Sequence, residues 1–180
     1  MQFYLETNRL ILREIRETDI DGMSELDSNA KVHQYLGKHP IKNKKEALEN
    51  ILFIGKQYKE LGIGRFAVIE KSSGDFVGWS GLKFNIGEKE ALNDFQNFVD
   101  IGFRLIPKYW GKGYATESSV ATLQYGFNTM NYPIIFGAAD VENIGSNTVL
   151  QKIGLRFINT FYFKETECNW YELKKEDYGK

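Results

Sequence analysis

The chain has 180 residues, is 42% hydrophobic and 14% aromatic, and carries a formal net charge of −1 at pH 7. This length and apolar content suit one folded domain with a sizeable core and exclude a disordered chain. The near-zero charge, without a basic block, excludes nucleic acid as the default partner, and no apolar run approaches the roughly 20 residues of a membrane span. Cys168 is the only cysteine, so no disulfide forms within the chain, which fits a reducing cytoplasm. Residues Met1 to Arg13 lack the apolar centre of a signal peptide. The expectation is a cytoplasmic protein with a single domain over residues 1–180.

Taken in chain order, Leu5 to Ile15 reads as a first strand, with Leu10 and Leu12 alternating with Arg9, Ile11 and Arg13. Asp19 is placed to cap a helix carrying Met23 and Leu26. Asn43, with Glu46 three residues on, resembles a capping box for a helix with Leu48, Ile51, Leu52 and Tyr58 on one side. Gly62 and Gly64 end that helix. Arg65–Glu70 and Phe76–Phe84 read as strands around a Ser73-Gly74 turn. Asn85 to Gln96 is a long polar loop, solvated or facing a ligand.

Asn97 to Ile106 predicts a strand with Val99, Ile101, Phe103 and Leu105 on one face and Phe98, Asp100, Gly102 and Arg104 on the other. Pro107 closes it. A helix carrying Val120, Leu123, Phe127 and Met130 follows a glycine turn. Ile134–Ala139 is a short apolar strand, and a helix from about Asn143 to Ile153 ends at Gly154. Phe157–Lys164 and Cys168–Leu173 finish as a strand pair. The pattern predicts an α/β (α+β mixed) domain, a mixed sheet of about seven strands flanked by about four helices, with no internal repeat.

Two segments carry chemistry. In Tyr109-Trp110-Gly111-Lys112-Gly113-Tyr114-Ala115-Thr116-Glu117 a strand gives way to a helix through two glycines. The amides of Gly111 to Thr116 then face an anion, helped by the helix dipole, with Lys112 adding charge at the rim. The pattern is neither a Walker loop nor G-x-G-x-x-G, and by itself it equally describes an ordinary strand-to-helix turn. In Asn143 to Phe157, Asn143 is a natural N-cap. Ser146 shares a helical stripe with Val149, Leu150 and Ile153, where its hydroxyl needs a partner: a ligand, a backbone carbonyl or a water.

With Leu5 to Arg13 plus Asp19, and Val99 to Phe103, these segments in order resemble the GNAT N-acetyltransferases, and within them the RimJ/RimL type. The likeness spans nearly the whole chain. The family turn is Gln/Arg-x-x-Gly-x-Gly/Ala; Trp110 departs at its first position, as in the RimJ/RimL branch. The resemblance implies a mostly antiparallel sheet and acetyl-CoA as donor. Its pyrophosphate would lie on the amides of Gly111, Lys112, Gly113, Tyr114, Ala115 and Thr116. Its pantetheine arm would lie along Leu105 and Ile106 in a gap splayed against Ile134–Ala139. Asn143 would bond the arm or the neighbouring strand, and Ser146 would stand near the sulfur.

An amine must lose a proton before it attacks, and Asp100 is the candidate acceptor, directly or through water. A salt bridge is the alternative role for Asp100. Glu117 is the rival carboxylate, more simply explained by the helix dipole. Ser146 is the candidate donor to the leaving thiolate, and backbone N–H groups near Leu105 would hold the oxyanion. Cys168 reads as a small buried hydrophobe, which favours direct attack over an acetyl-cysteine route. Arg9 and Arg13 read as sheet-edge ion pairs, with anchoring of an acidic substrate the alternative. Trp79, Phe84, Tyr162 and Trp170 divide between core and acceptor pocket. His33 and His39 lack metal spacing, so no metal is expected. The partners implied are acetyl-CoA and an amine acceptor, either a peptide N-terminus or a small amine, with the chain a monomer or homodimer. A non-catalytic acyl-CoA sensor on the same fold is the rival of another class.

Overall fold

A computed structural model describes residues 3–179. Eight strands form one sheet: β1 (Tyr4–Glu6), β2 (Leu10–Glu14), β3 (Arg65–Glu70), β4 (Phe76–Asn85), β5 (Phe98–Leu105), β6 (Ile134–Asp140), β7 (Arg156–Phe163) and β8 (Thr166–Lys174). Their spatial order is β1-β2-β3-β4-β5-β6-β8-β7. Only β5 and β6 pair in parallel, because a helical crossover joins them. The mixed, mostly antiparallel sheet matches the sequence reading, with one strand more than expected.

The extra strand comes from the N-terminal segment. The expected single strand over Leu5–Ile15 is broken into the antiparallel pair β1–β2. Thr7 turns the chain: its N–H donates to the Leu10 carbonyl at 2.9 Å, and its Oγ1 accepts from the Leu10 N–H at 2.9 Å. Four polar residues in a row, Glu6 to Arg9, mark this turn and break the alternation of the expected strand.

The helices are α1 (Ile20–Asp27), α2 (Lys44–Leu61), α3 (Tyr114–Gln124) and α4 (Ile144–Lys152). Local chemistry sets their ends. Asn43 Oδ1 accepts from the N–H groups of Lys45 and Glu46, and Gly62 stops α2 in the left-handed region at φ 66°. Asp19 stands at the N-cap of α1, but its carboxylate binds Arg13 and the Arg16 N–H instead. A π-helical turn, Tyr125–Thr129, extends α3. No helix among the described residues is long and apolar enough to cross a membrane.

Helix α1 packs on one face of the sheet, tied to it by Asp27 and Arg104, with α2 beside it. Helices α3 and α4 cover the other face, where Leu123, Phe127 and Leu150 pack with Leu82, Ile101 and Ile135. Each such fully buried side chain contributes roughly 1.5–3 kcal/mol. The inward stripe of α3 differs from the expected one, since Val120 is exposed. Ser118, Ser119 and Thr122 are buried in its place, with the Ser118 and Thr122 hydroxyls bonded back to carbonyls four residues earlier. These small side chains let α3 lie close on β4 and β5. Leu52 of α2 is likewise exposed, and Ala47 and Ile51 supply the buried face.

Candidate active site

The site begins with the way β5 leaves its neighbour. β5 pairs with β4 along its whole length but meets β6 at one register point, Asp100 with Phe136. Beyond that point the two strands splay. The Ile106 N–H donates to the Val77 carbonyl at 2.9 Å. Backbone groups along an antiparallel strand alternate in direction, so those of Phe103 and Leu105 face the gap. Of the two expected contacts at the strand end, Leu105 therefore looks into the splay, while the Ile106 N–H is committed to β4. The Trp110 indole N–H donates to the Leu105 carbonyl at 2.7 Å and ties the following turn to this wall.

At the mouth of the gap, Gly111 and Gly113 adopt φ of 74° and 80°, and Gly113 caps α3. Side chains rarely tolerate that region. Among the described residues the N–H groups of Gly111 to Thr116 have no protein acceptor; the first amide to find one is Glu117, bonded to the Gly113 carbonyl at 3.0 Å. This row of unpaired donors at the positive end of a helix fits a pyrophosphate.

The turn is strapped from behind. Arg9 Nη1 donates to the Lys112 carbonyl at 2.9 Å, and Arg9 pairs with Glu117 at 2.7 Å. Glu117 also accepts from the Thr7 hydroxyl and the Arg9 N–H. Burial works against ionisation of Glu117, but these bonds outweigh it and hold its pKa below the usual value. Arg9 and Arg13 are both ion-paired, Arg13 with Asp19. Behind the turn, burial and a bond to Asp75 push the Tyr109 phenol up to about 12, so it stays protonated.

On the far side of the gap, Asn143 caps α4, its Oδ1 accepting from the Ser146 N–H at 3.1 Å. Ser146 is half-buried, and among the described residues its hydroxyl has no protein partner. The next residue, Asn147, is a buried hub that sequence reasoning missed. It donates to the carbonyls of Asp140 and Asn143 and accepts from Asn169 and the Tyr171 hydroxyl, locking the start of α4 onto β6 and β8. Its neighbour Ser146 drew the attention as the smaller, more reactive group.

The structure thus brings Leu105, the Gly111–Thr116 turn, Asn143 and Ser146 to one end of the sheet. Asp100 stands apart, at the closed end of the splay and on the face opposite α3 and α4. Its carboxylate takes two hydrogen bonds from Arg65 Nη2, at 2.9 and 3.0 Å. Arg65 Nη1 also donates to the carbonyls of Gly81 and Asp100. Arg65 was not singled out by the sequence; the available signal was a charged residue opening the apolar run Phe66–Ile69 opposite a glycine-bearing strand.

Of the aromatics, Trp170 is buried in a cluster with Phe98 and Phe136, and Phe84 packs against the core. Trp79 lies beneath two guanidinium groups, and Tyr162 is exposed. Cys168 sits opposite Asp140 on β8, and burial raises its thiol pKa. No group of three or more His, Cys, Asp or Glu gathers as a metal site among the described residues.

A sheet splayed between parallel strands, with an unpaired helix N-terminus at the mouth of the gap, makes an α/β fold with a cradle suited to an anion. Residues 9–156 match the acetyltransferase (GNAT) domain family, and the chain belongs to that family, whose members use acetyl-CoA as co-substrate. It is an N-acetyltransferase. It is similar to the uncharacterized N-acetyltransferase YnaD of Bacillus subtilis, 30% identical over 153 residues, which cover 85% of this chain and 82% of the relative. A GNAT-family acetyltransferase from Bacillus anthracis superposes with a TM-score of 0.81 at 26% identity, covering 97% of this chain and 99% of the other. Spermidine N-acetyltransferase from Vibrio cholerae, solved with CoA and spermine, shares the fold at a TM-score of 0.75 and 18% identity, covering 96% and 99%.

Proposed function

We propose that this chain transfers the acetyl group of acetyl-CoA to a primary amine by direct attack in a ternary complex. The observation that carries the reading is the coincidence, at one end of the sheet, of the β5–β6 splay and the unpaired amides of residues 111–116. Those amides take the pyrophosphate, and the Leu105–Ile106 strand end guides the pantetheine arm. Asn143 Oδ1 is spent on its cap, which leaves its amide N–H groups for the arm.

The transfer divides between the two faces. On one, Asp100 accepts the proton lost by the amine, through a relaying water because the aspartate side chain is short; the bonds from Arg65 leave each oxygen a further acceptor site. The amine nitrogen bonds to the acetyl carbon, and the gap-facing N–H of Leu105 holds the oxyanion. On the other face, the C–S bond breaks and the thiolate, with a pKa of roughly 8–9, takes a hydrogen bond from Ser146.

The RimJ/RimL-like features point to a protein N-terminus as acceptor; a small-molecule amine is the second reading. The family's co-substrate and the unpartnered Ser146 hydroxyl support catalysis over an acyl-CoA sensor. We read the protein as a cytoplasmic monomer or homodimer. The test is thiol release from acetyl-CoA with peptide N-termini, amino acids and polyamines. Turnover with one class names the acceptor. Binding of acetyl-CoA without turnover on any amine overturns the transfer reading in favour of the sensor.

A further inference from the structure

Besides Asp100, the face of the sheet that carries it is lined with charges that the transfer itself leaves unused. Trp79 pairs with Arg104, Gly81 with Gly102 and Lys83 with Asp100, while Arg65 pairs with Gly81. Cross-strand partners point the same way, so Arg65, Trp79, Lys83, Asp100 and Arg104 share this face. Asp27, from the end of α1, and Glu90, from the loop after β4, overhang it. Each carboxylate already has its own cation: Asp27 with Arg104 at 2.7 Å, Glu90 with Lys83 at 2.5 Å, Asp100 with Arg65 at 2.9 Å. The Trp79 ring is occupied too, with the guanidinium carbons of Arg65 and Arg104 at 5.5 and 5.1 Å from its centroid. A polycation is held by free carboxylates or an open aromatic face. Among the described residues around Trp79 and Arg104 this face offers neither; a free carboxylate, Glu172, stands beyond Phe136 on β8.

Arg104, by contrast, is under-used. Of its five N–H donors only Nη1 has an acceptor, Asp27, and Nε is buried without a partner. His33, 7% exposed, lies against the same pair with both ring nitrogens buried and short of full hydrogen-bond geometry, although the Asp27 backbone carbonyl bears on the ring. Burial and the Arg104 charge lower the imidazole pKa, so the neutral ring keeps one N–H to give. Buried donors normally find acceptors, and two gathered here, Arg104 Nε and the single N–H of His33, lack one in full bonding geometry. The Nε–Nη2 edge of a guanidinium matches the two oxygens of a carboxylate.

Resting on the acetyl-transfer reading above, we infer that the acceptor is an amine that also carries a carboxylate, seated on the free edge of Arg104 and the N–H of His33. Because these nitrogens are buried, the 3₁₀ turn Val32–Tyr35, which bears His33, would have to open to admit it.

The test measures kcat/KM by thiol release for amino acids, for their amides and for spermidine. A peptide pair with Asp or Asn at the second position separates a peptide carboxylate from that of a free amino acid. The expected result is a preference of about tenfold for the acid over its amide in one of the two pairs, with spermidine the poorest acceptor. The Arg104→Gln/Asp27→Asn double variant removes the ion pair without stranding a buried charge. Its acid-to-amide ratio is expected to fall to near one, whereas Asp27→Asn alone retains the preference. Equal rates for acid and amide in both pairs, or spermidine as the best acceptor, overturn this inference while leaving acetyl transfer intact. An absence of turnover on every amine overturns both.

Discussion

Arg65 grips both carboxylate oxygens of Asp100, and it does so across a space that exists because residue 102 has no side chain. A Cβ built on Gly102 would lie 2.9 Å from the Arg65 guanidinium carbon. The glycine in the middle of β5 is therefore the seat of the guanidinium, and the pair fixes the direction in which Asp100 points. Gly102→Ala is expected to displace Arg65, costing about 1–3 kcal/mol of stability by overpacking, and to lower kcat while acetyl-CoA affinity holds. Chemical denaturation, steady-state kinetics and calorimetric titration separate these effects.

Asp100→Asn removes the proton acceptor but keeps the shape. Turnover is expected to fall by about a hundredfold or more, with acetyl-CoA binding nearly unchanged. Wild-type turnover in this variant would end the assignment of Asp100 as base.

Gly113 caps α3 at φ 80°, beside the Arg9 guanidinium. Gly113→Ala places a Cβ in the left-handed region at a cost of roughly 1–2 kcal/mol and tilts the amides that would face the pyrophosphate. The expected result is an acetyl-CoA Kd raised by about tenfold, with kcat at saturating donor retained. An unchanged Kd would move the phosphate site elsewhere.

Glu117 links the β1–β2 turn to α3, and its folded pKa lies below the ordinary carboxylate value. A depressed carboxylate stabilises the fold fully above its unfolded pKa, about 4.3 for glutamate, and that contribution is lost as pH falls through the lower folded value. Denaturation free energy is therefore expected to decline below about pH 4.3, and less steeply in Glu117→Gln. Parallel curves for the two proteins would show that the strap carries no such linkage.

Burial raises the Cys168 thiol, followed by the charges of Asp140 and Glu167, so little thiolate exists near neutral pH. Cys168→Ala is expected to retain turnover, and alkylation of the native protein should be slow. Loss of activity, or mass-spectrometric capture of an acetyl group on Cys168, would replace direct attack by a covalent route.

Much of this fold is written locally. The caps at Asn43 and Asn143, the glycine stops at Gly62 and Gly154, and the alternation along β5 depend on neighbours within a few residues, so sequence reading reaches them. The same holds for the Gly111–Gly113 turn, whose opening depends on backbone conformation and the start of a helix. The β1–β2 turn escaped although the polar run Glu6 to Arg9 interrupts the alternation, because it holds no glycine or proline and Thr7 closes it with its own hydroxyl. The buried stripe of α3 escaped because packing distance favoured small residues over Val120.

What the sequence alone determined is the order of elements, the phosphate-type turn and the chemical types available at Asp100 and Ser146. Only the tertiary structure decided their surroundings: the single β5–β6 contact that opens the gap, and the faces on which Asp100 and α4 stand. It also decided the pairing of Arg65 with Asp100, 35 residues on, and of Asp27 with Arg104, 77 residues on. The reason is physical. Propensity and capping act over one turn of chain, whereas a buried charge takes whichever partner sheet register and helix packing bring within about 3 Å.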